Sequence, residues 1–112
     1  MEIHSSKIWK GKDTKFTYRD IDHIDELKKR VCMGVRAYIF CNNKLIVTYS
    51  ERKDIWEPPG GNVESDELVT NAMIREVKEE TNMKVIRHAC IGYEDIFAEE
   101  KTRNPHEICM CC

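Results

Sequence analysis

Leucine is nearly absent from this 112-residue chain, with three residues against twelve isoleucines. β-Branched side chains lose rotamer freedom in a helix and fit a pleated surface better. The composition therefore tilts toward strands and excludes a coiled coil. A basic excess is missing too: the formal net charge is −2. Little is available to neutralise a phosphate polymer, so no nucleic-acid polymer is expected as a partner. Long apolar runs are also lacking. The longest, near Val31 to Phe40, is broken by Arg36 and is far short of the ~20 residues that span a bilayer. The start, Met1-Glu2-Ile3-His4, has no export-signal character, and the six cysteines show no disulfide-scaffold spacing. Reduced thiols, a cytoplasmic location and no membrane association are the expectation. Internal repeats, linkers and low-complexity tracts are absent, as are a Walker A loop, GxSxG and a complete HExxH.

What the chain does hold is enough for one domain with its own core, and a concentrated acidic segment. Residues 51–80 contain nine acids against four bases, a local −5. Around this segment the pattern reads as strands. Thr14–Tyr18 suits a short strand, and residues 22–29 one or two turns of helix with Ile24 and Leu27 at i, i+3. Val31–Phe40 and Lys44–Tyr49 suit strands flanking an Asn42-Asn43 hairpin turn. Residues 50–56 read as a polar loop, and Pro58-Pro59-Gly60-Gly61 excludes helix. Ser65–Thr81 is the one long helix expected, with Ser65 as N-cap and Asp66 and Glu67 complementing the dipole. Met83–Phe97 suits one or two strands with Gly92 as a bulge; residues 98–105 suit a charged loop, and His106–Cys112 a last strand. The spacing of His106, Cys109, Cys111 and Cys112 is not that of a standard zinc finger or ribbon.

On a wheel of about 100° per residue, Leu68, Val69, Ala72, Met73 and Val77 form one apolar face. Thr70, Asn71 and Lys78 fall on the outward side. Glu76 and Glu80 fall in the middle of the apolar face, and Glu79 on its flank beside Arg75. Like charges at i, i+4 destabilise a helix, and an unpaired buried carboxylate is costly. The pattern makes sense around a hard, oxygen-liganded cation such as Mg²⁺ or Mn²⁺; a solvated acidic face paired with Arg75 and Lys78 is the alternative. Gly60-Gly61 just upstream lets the backbone come close to a ligand and can turn the Gly61 carbonyl toward the same ion. Trp56, near these glycines, suits packing and substrate contact equally.

Gly61, five residues, Glu67, seven residues, then Arg75-Glu76-Val77-Lys78-Glu79-Glu80-Thr81-Asn82-Met83 resembles the Nudix box, G-x5-E-x7-R-E-U-x-E-E-x-G-U with U bulky and apolar. One position departs: Asn82 stands where the family has glycine. Asn is second only to Gly at a left-handed helix exit, so the substitution should touch stability slightly and no ligand. Trp56-Glu57-Pro58-Pro59-Gly60-Gly61 resembles the family's approach to the box.

The resemblance implies an α/β fold, the family's α/β/α sandwich with a mixed sheet, over residues 31–112, with residues 1–30 an extension packing on that domain. The C-terminal helix usual in the family has no counterpart before Cys112, so a longer natural chain, a homodimer, or the first thirty residues covering that face are the expectations. The implied activity is divalent-metal-dependent hydrolysis of a nucleoside diphosphate linked to another moiety, nucleoside triphosphates included; a nucleotide-binding or sensor module without turnover is the alternative. In the implied site Gly61, Glu76, Glu79 and Glu80 hold Mg²⁺ or Mn²⁺. Glu79 takes the proton of water, Arg75 orients a box glutamate, and Glu67 supports the loop–helix geometry. Trp56 and Gly60 are the candidate substrate contacts. A further acidic ligand or base would come from Glu94, Asp95, Glu99 or Glu100.

Overall fold

The structure is a computed structural model that describes residues 1–9, 11–27, 30–98 and 106–111. Its strands are β1 (Glu2–Trp9), β2 (Lys12–Asp20), β3 (Cys32–Cys41), β4 (Lys44–Ile46), β5 (Thr48–Ser50), β6 (Ile55–Glu57), β7 (Gly60–Asn62), β8 (Ala89–Ala98) and β9 (His106–Cys111). One α-helix, α1 (Val69–Thr81), occurs among the described residues, with a 3-10 turn at Ile24–Leu27. A seven-stranded mixed sheet runs β1-β2-β8-β9-β3-β4, with β7 also on β3; β5 and β6 form a separate two-stranded sheet. β9 is parallel to β3 and antiparallel to β8; every other pair is antiparallel.

The period-2 pattern of β3 places Val35, Ala37 and Ile39 in the core. α1 packs on β3 and β7 and buries Ala72, Met73 and Val77. These are the inner residues of the wheel. The outer end of that wheel fails: Leu68 is 70% exposed, and Val69 and Thr70 are half-buried. The cause is the helix start. Asp66 adopts a left-handed backbone, φ 63°, and Leu68 is still extended, so helix begins at Val69 and Ser65 caps nothing. Asp66 and Glu67 accordingly lie outside its first turn. At the other end Asn82 is left-handed, φ 60°, and its N–H donates to the Lys78 carbonyl at 2.9 Å, the geometry expected of the glycine it replaces.

Asn42 and Asn43 both have positive φ and close the β3–β4 hairpin with Cys41 opposite Lys44. Lys44–Tyr49 is not one strand: it splits at Val47, and its second half pairs with β6, so the expected polar loop carries a hairpin. The expected helix at 22–29 is the 3-10 turn, with Lys28 and Lys29 outside the described residues. β1 was not foreseen. Met83–His88 forms no strand, although Met83 and Val85 pack against the core. The Cys90/Gly92 register shift is the expected bulge: Gly92 leaves room for Tyr18, whose hydroxyl a Cβ there would meet at 2.4 Å. The charged loop at 99–105 and Cys112 lie outside the described residues.

The first two strands continue the main sheet. Asp95, 4% exposed, accepts from Arg19 at 3.1 Å and from Arg30 at 2.9 Å. Arg30 also lies over the Tyr93 ring, 4.3 Å from its centroid. A buried carboxylate is tolerable here because two guanidiniums meet it. Cys32 and Cys41 are free thiols, and burial pushes Cys32 up to about 11. No helix among the described residues is long and apolar enough to cross a membrane. Ile91 and Phe97 on β8 stay more than one-third exposed.

Candidate active site

The turn from β7 into α1 is held by Arg75. Its Nε and Nη2 donate to the two Glu67 oxygens at 2.8 and 2.9 Å, a bidentate pair. Nη2 also donates to the Asn62 carbonyl at 3.0 Å, and Nη1 to Glu76 at 2.8 Å. Glu79 receives a longer contact of 3.4 Å. Glu67 also accepts from the Glu64 N–H at 3.0 Å. Hydrogen bonds from Arg75 hold the Glu67 carboxyl at about 2, well below the usual range, and Glu67 in turn raises Arg75.

The box glutamates differ in their surroundings. Glu76 is largely enclosed, its side chain 13% exposed, and its carboxylate abuts Gly61: a Cβ there would stand 2.5 Å from Oε1. Glu80 is exposed as a residue, but its carboxylate reaches back to accept from the Gly60 N–H at 3.0 Å. Desolvation raises its pKa, and the Glu76 charge adds to this. Glu79 is 57% exposed. The two glycines serve different approaches. Gly60 lies against the β3 backbone, 2.2 Å from a built Cβ to the Val35 carbonyl oxygen, whereas Gly61 makes room for Glu76.

Among the described residues no three of His, Cys, Asp and Glu are grouped to hold a metal; Glu76 is bonded to Arg75 and Glu80 to Gly60. The donor chemistry nevertheless fits a hard cation. The Glu76 charge raises the cost of ionising Glu80, and what both residues and the Gly61 carbonyl offer is oxygen. Trp56 is 70% exposed; its ring lies 5.2 Å from that of Tyr49, its cross-strand partner. Of the downstream acids, Asp95 is committed to Arg19 and Arg30, and Glu99 and Glu100 lie outside the described residues.

Two charged neighbours were missed. Arg36 on β3 donates to the Pro58 carbonyl at 3.0 Å and lies 3.7 Å from Glu57; both are electrostatic neighbours of Glu80. The interruption of an apolar run by Arg36 was the available signal. Its role depends on β3 pairing with β7, where Arg36 stands opposite Gly60.

The family model described as NUDIX domain matches residues 32–111. The chain belongs to the Nudix family. It is similar to an 8-oxo-dGTP diphosphatase of Buchnera aphidicola subsp. Schizaphis graminum (strain Sg), 37% identical over 66 residues, which is 53% of this chain and 51% of that protein. The chain thus spans about half the length of that curated relative. Among solved structures it resembles a mutant of the Bacillus subtilis pyrophosphohydrolase BsRppH, with a TM-score of 0.69 and 24% identity over 86% of this chain and 58% of that one. At that identity the likeness establishes the fold.

Proposed function

We propose that this protein hydrolyses a nucleoside diphosphate linked to another moiety, cutting a phosphoric anhydride bond. The observation that carries the reading is the convergence of Glu76 and Glu80 on Gly61 and Gly60. Residues 15 and 20 positions apart meet at one loop–helix junction. The relatives' names, diphosphatase and pyrophosphohydrolase, support the reaction class.

Glu76, Glu79, Glu80 and the Gly61 carbonyl are the proposed holders of Mg²⁺ or Mn²⁺. When bound, such an ion neutralises phosphate oxygens and acidifies a coordinated water. Glu79, exposed and only loosely held by Arg75, is the carboxylate best able to accept the proton of an attacking water. Arg75 and Glu67 act on position: their bidentate pair fixes the loop against the helix, and Arg75 aims Glu76. Arg36 offers donors to phosphate oxygens, and Gly60, whose N–H is held by Glu80, is the proposed backbone contact beside them. Trp56, with its ring exposed beside Tyr49, is the proposed contact for the nucleobase. A cytoplasmic enzyme that acts on a small molecule is consistent with the free thiols.

The test is a panel of nucleoside diphosphate derivatives and triphosphates incubated with protein and Mg²⁺ or Mn²⁺, with nucleoside monophosphate release measured. Release from at least one compound, abolished by EDTA, is expected. Tight binding without release would instead identify a nucleotide sensor.

A further inference from the structure

Glu57 is gripped by two cations from two different sheets. Its Oε2 lies 3.2 Å from Lys53 Nζ, in the turn of the β5–β6 hairpin, and 3.7 Å from Arg36 Nη1 on β3. The Lys53 ammonium also reaches the second oxygen at 3.5 Å. Glu57 and Arg36 are largely enclosed, at 22% and 23% side-chain exposure, while Lys53 is 41% exposed. β5 and β6 are not part of the seven-stranded sheet, so this ionic chain ties the hairpin to the site. Arg36 and Glu57 border Glu80. The charged groups therefore run in order from Glu76 and Glu80 through Arg36 and Glu57 to Lys53.

We infer that Arg36 and Lys53 form a second phosphoryl subsite next to the proposed hydrolytic site, and that Lys53 favours nucleoside triphosphates over diphosphates joined to a neutral group. The inference rests on the hydrolase reading for the position of the diphosphate. Its chemistry is an exchange of anions. Glu57 presents one negative charge between two cations, and a terminal phosphoryl group presents up to two with three acceptor oxygens. Lys supplies a mobile point charge and Arg a planar fork, so the pair can pass from carboxylate to phosphate without rearranging the sheet. A neutral sugar or similar group at that place gains nothing from Lys53.

The experiment compares dGTP with UDP-glucose for wild type, Lys53→Met, Lys53→Arg and Arg52→Met. Lys53→Met is expected to raise KM for dGTP about tenfold or more, with kcat changing much less and KM for UDP-glucose moving less than threefold. Lys53→Arg should recover most of the loss. Arg52→Met, which removes the same charge one residue away, should shift KM for dGTP less than threefold. An unchanged KM in Lys53→Met, an equal shift for UDP-glucose, or an equal effect of Arg52→Met overturns the subsite. If wild type turns over neither compound, the hydrolase reading is decided by the full panel rather than by these two. The subsite is then decided by binding of α,β-methylene-dGTP, read from Trp56 fluorescence in a Trp9→Phe background. A tenfold loss of affinity on Lys53→Met upholds it, and equal or absent binding overturns it.

Discussion

Gly61→Ala should separate the site from the fold. Neither Gly60 nor Gly61 has a positive φ, so alanine fits the backbone at both and the outcome depends on what the new methyl meets. At Gly61 it would stand 2.5 to 2.8 Å from the three terminal atoms of the Glu76 side chain. Non-bonded heavy atoms settle at about 3.5–4.0 Å, so the carboxylate must retreat by about an ångström. It sits at the end of a flexible side chain, and a rotation of that size costs about 0.5–1.5 kcal/mol. The chemistry is less forgiving, since a misplacement of ~1 Å in an organised site can cost on the order of a hundredfold in rate. Gly60→Ala differs because its methyl would meet the Val35 carbonyl oxygen at 2.2 Å and the Arg36 Cα at 3.0 Å. Those are backbone atoms, so the β3–β7 pairing itself must open, at about 1–3 kcal/mol. Urea unfolding and steady-state hydrolysis should therefore show Gly61→Ala nearly as stable as wild type but about a hundredfold slower, and Gly60→Ala impaired in both. Wild-type turnover by Gly61→Ala would refute the placement of Glu76 at the reacting centre.

Glu76→Gln or Glu80→Gln should keep the fold and lower turnover by about two orders of magnitude or more, measured with whichever substrate the panel identifies; wild-type rates in both would reduce the cluster to a solvated acidic face. Asn82→Gly should change turnover less than twofold and stability by a few tenths of a kcal/mol at most, because Asn82 already has the left-handed geometry. Met73→Ala should cost about 2–5 kcal/mol, since Met73 is fully buried, while Leu68→Ala, at 70% exposure, should be nearly neutral in the same urea titration. Because Glu67 titrates at about 2 when folded against an ordinary 4.5, the unfolded chain binds more protons between those values. The Glu67 contribution is complete above pH 4.5 and fades as pH falls toward 2, so Glu67→Gln should flatten the loss of stability across that window.

The helix and its acidic register were legible because period and spacing are local properties. Ala72, Met73 and Val77 are buried, as the wheel placed them, and the Asn42-Asn43 turn and the Gly92 bulge carry their own backbone chemistry. What a wheel does not contain is the point where a helix begins. Ser65 has the right chemistry for a cap, but the left-handed Asp66 turns the chain first. The seven-stranded sheet was out of reach for a similar reason. That β1 extends the sheet depends on pairing between distant segments, and the isoleucines at positions 3 and 8 stay exposed, so no core periodicity marks the strand.

No side chain caps the helix start; Glu67 instead orders the turn that leads into it. Its carboxylate accepts the Glu64 N–H, and the Glu67 N–H closes the same turn onto the Glu64 carbonyl at 3.1 Å. The other side of that carboxylate is taken by Arg75, two helical turns along, which also reaches Asn62 and Glu76. One ion pair thus fixes the loop end, the helix start and a site carboxylate together. This explains the spacing in physical terms. Glu67 must lie before the helix to hold the loop, and Arg75 must lie eight residues later to return to the same side. Its neighbour Glu76 then faces Gly61. The motif is legible as a string because its spacing records a closed circuit of contacts. Arg36, Lys53 and Glu57 belong to no such local circuit, and strand pairing and the hairpin bring them to the site. That is why the sequence reading assigned them no role although all three lie within sight of the box.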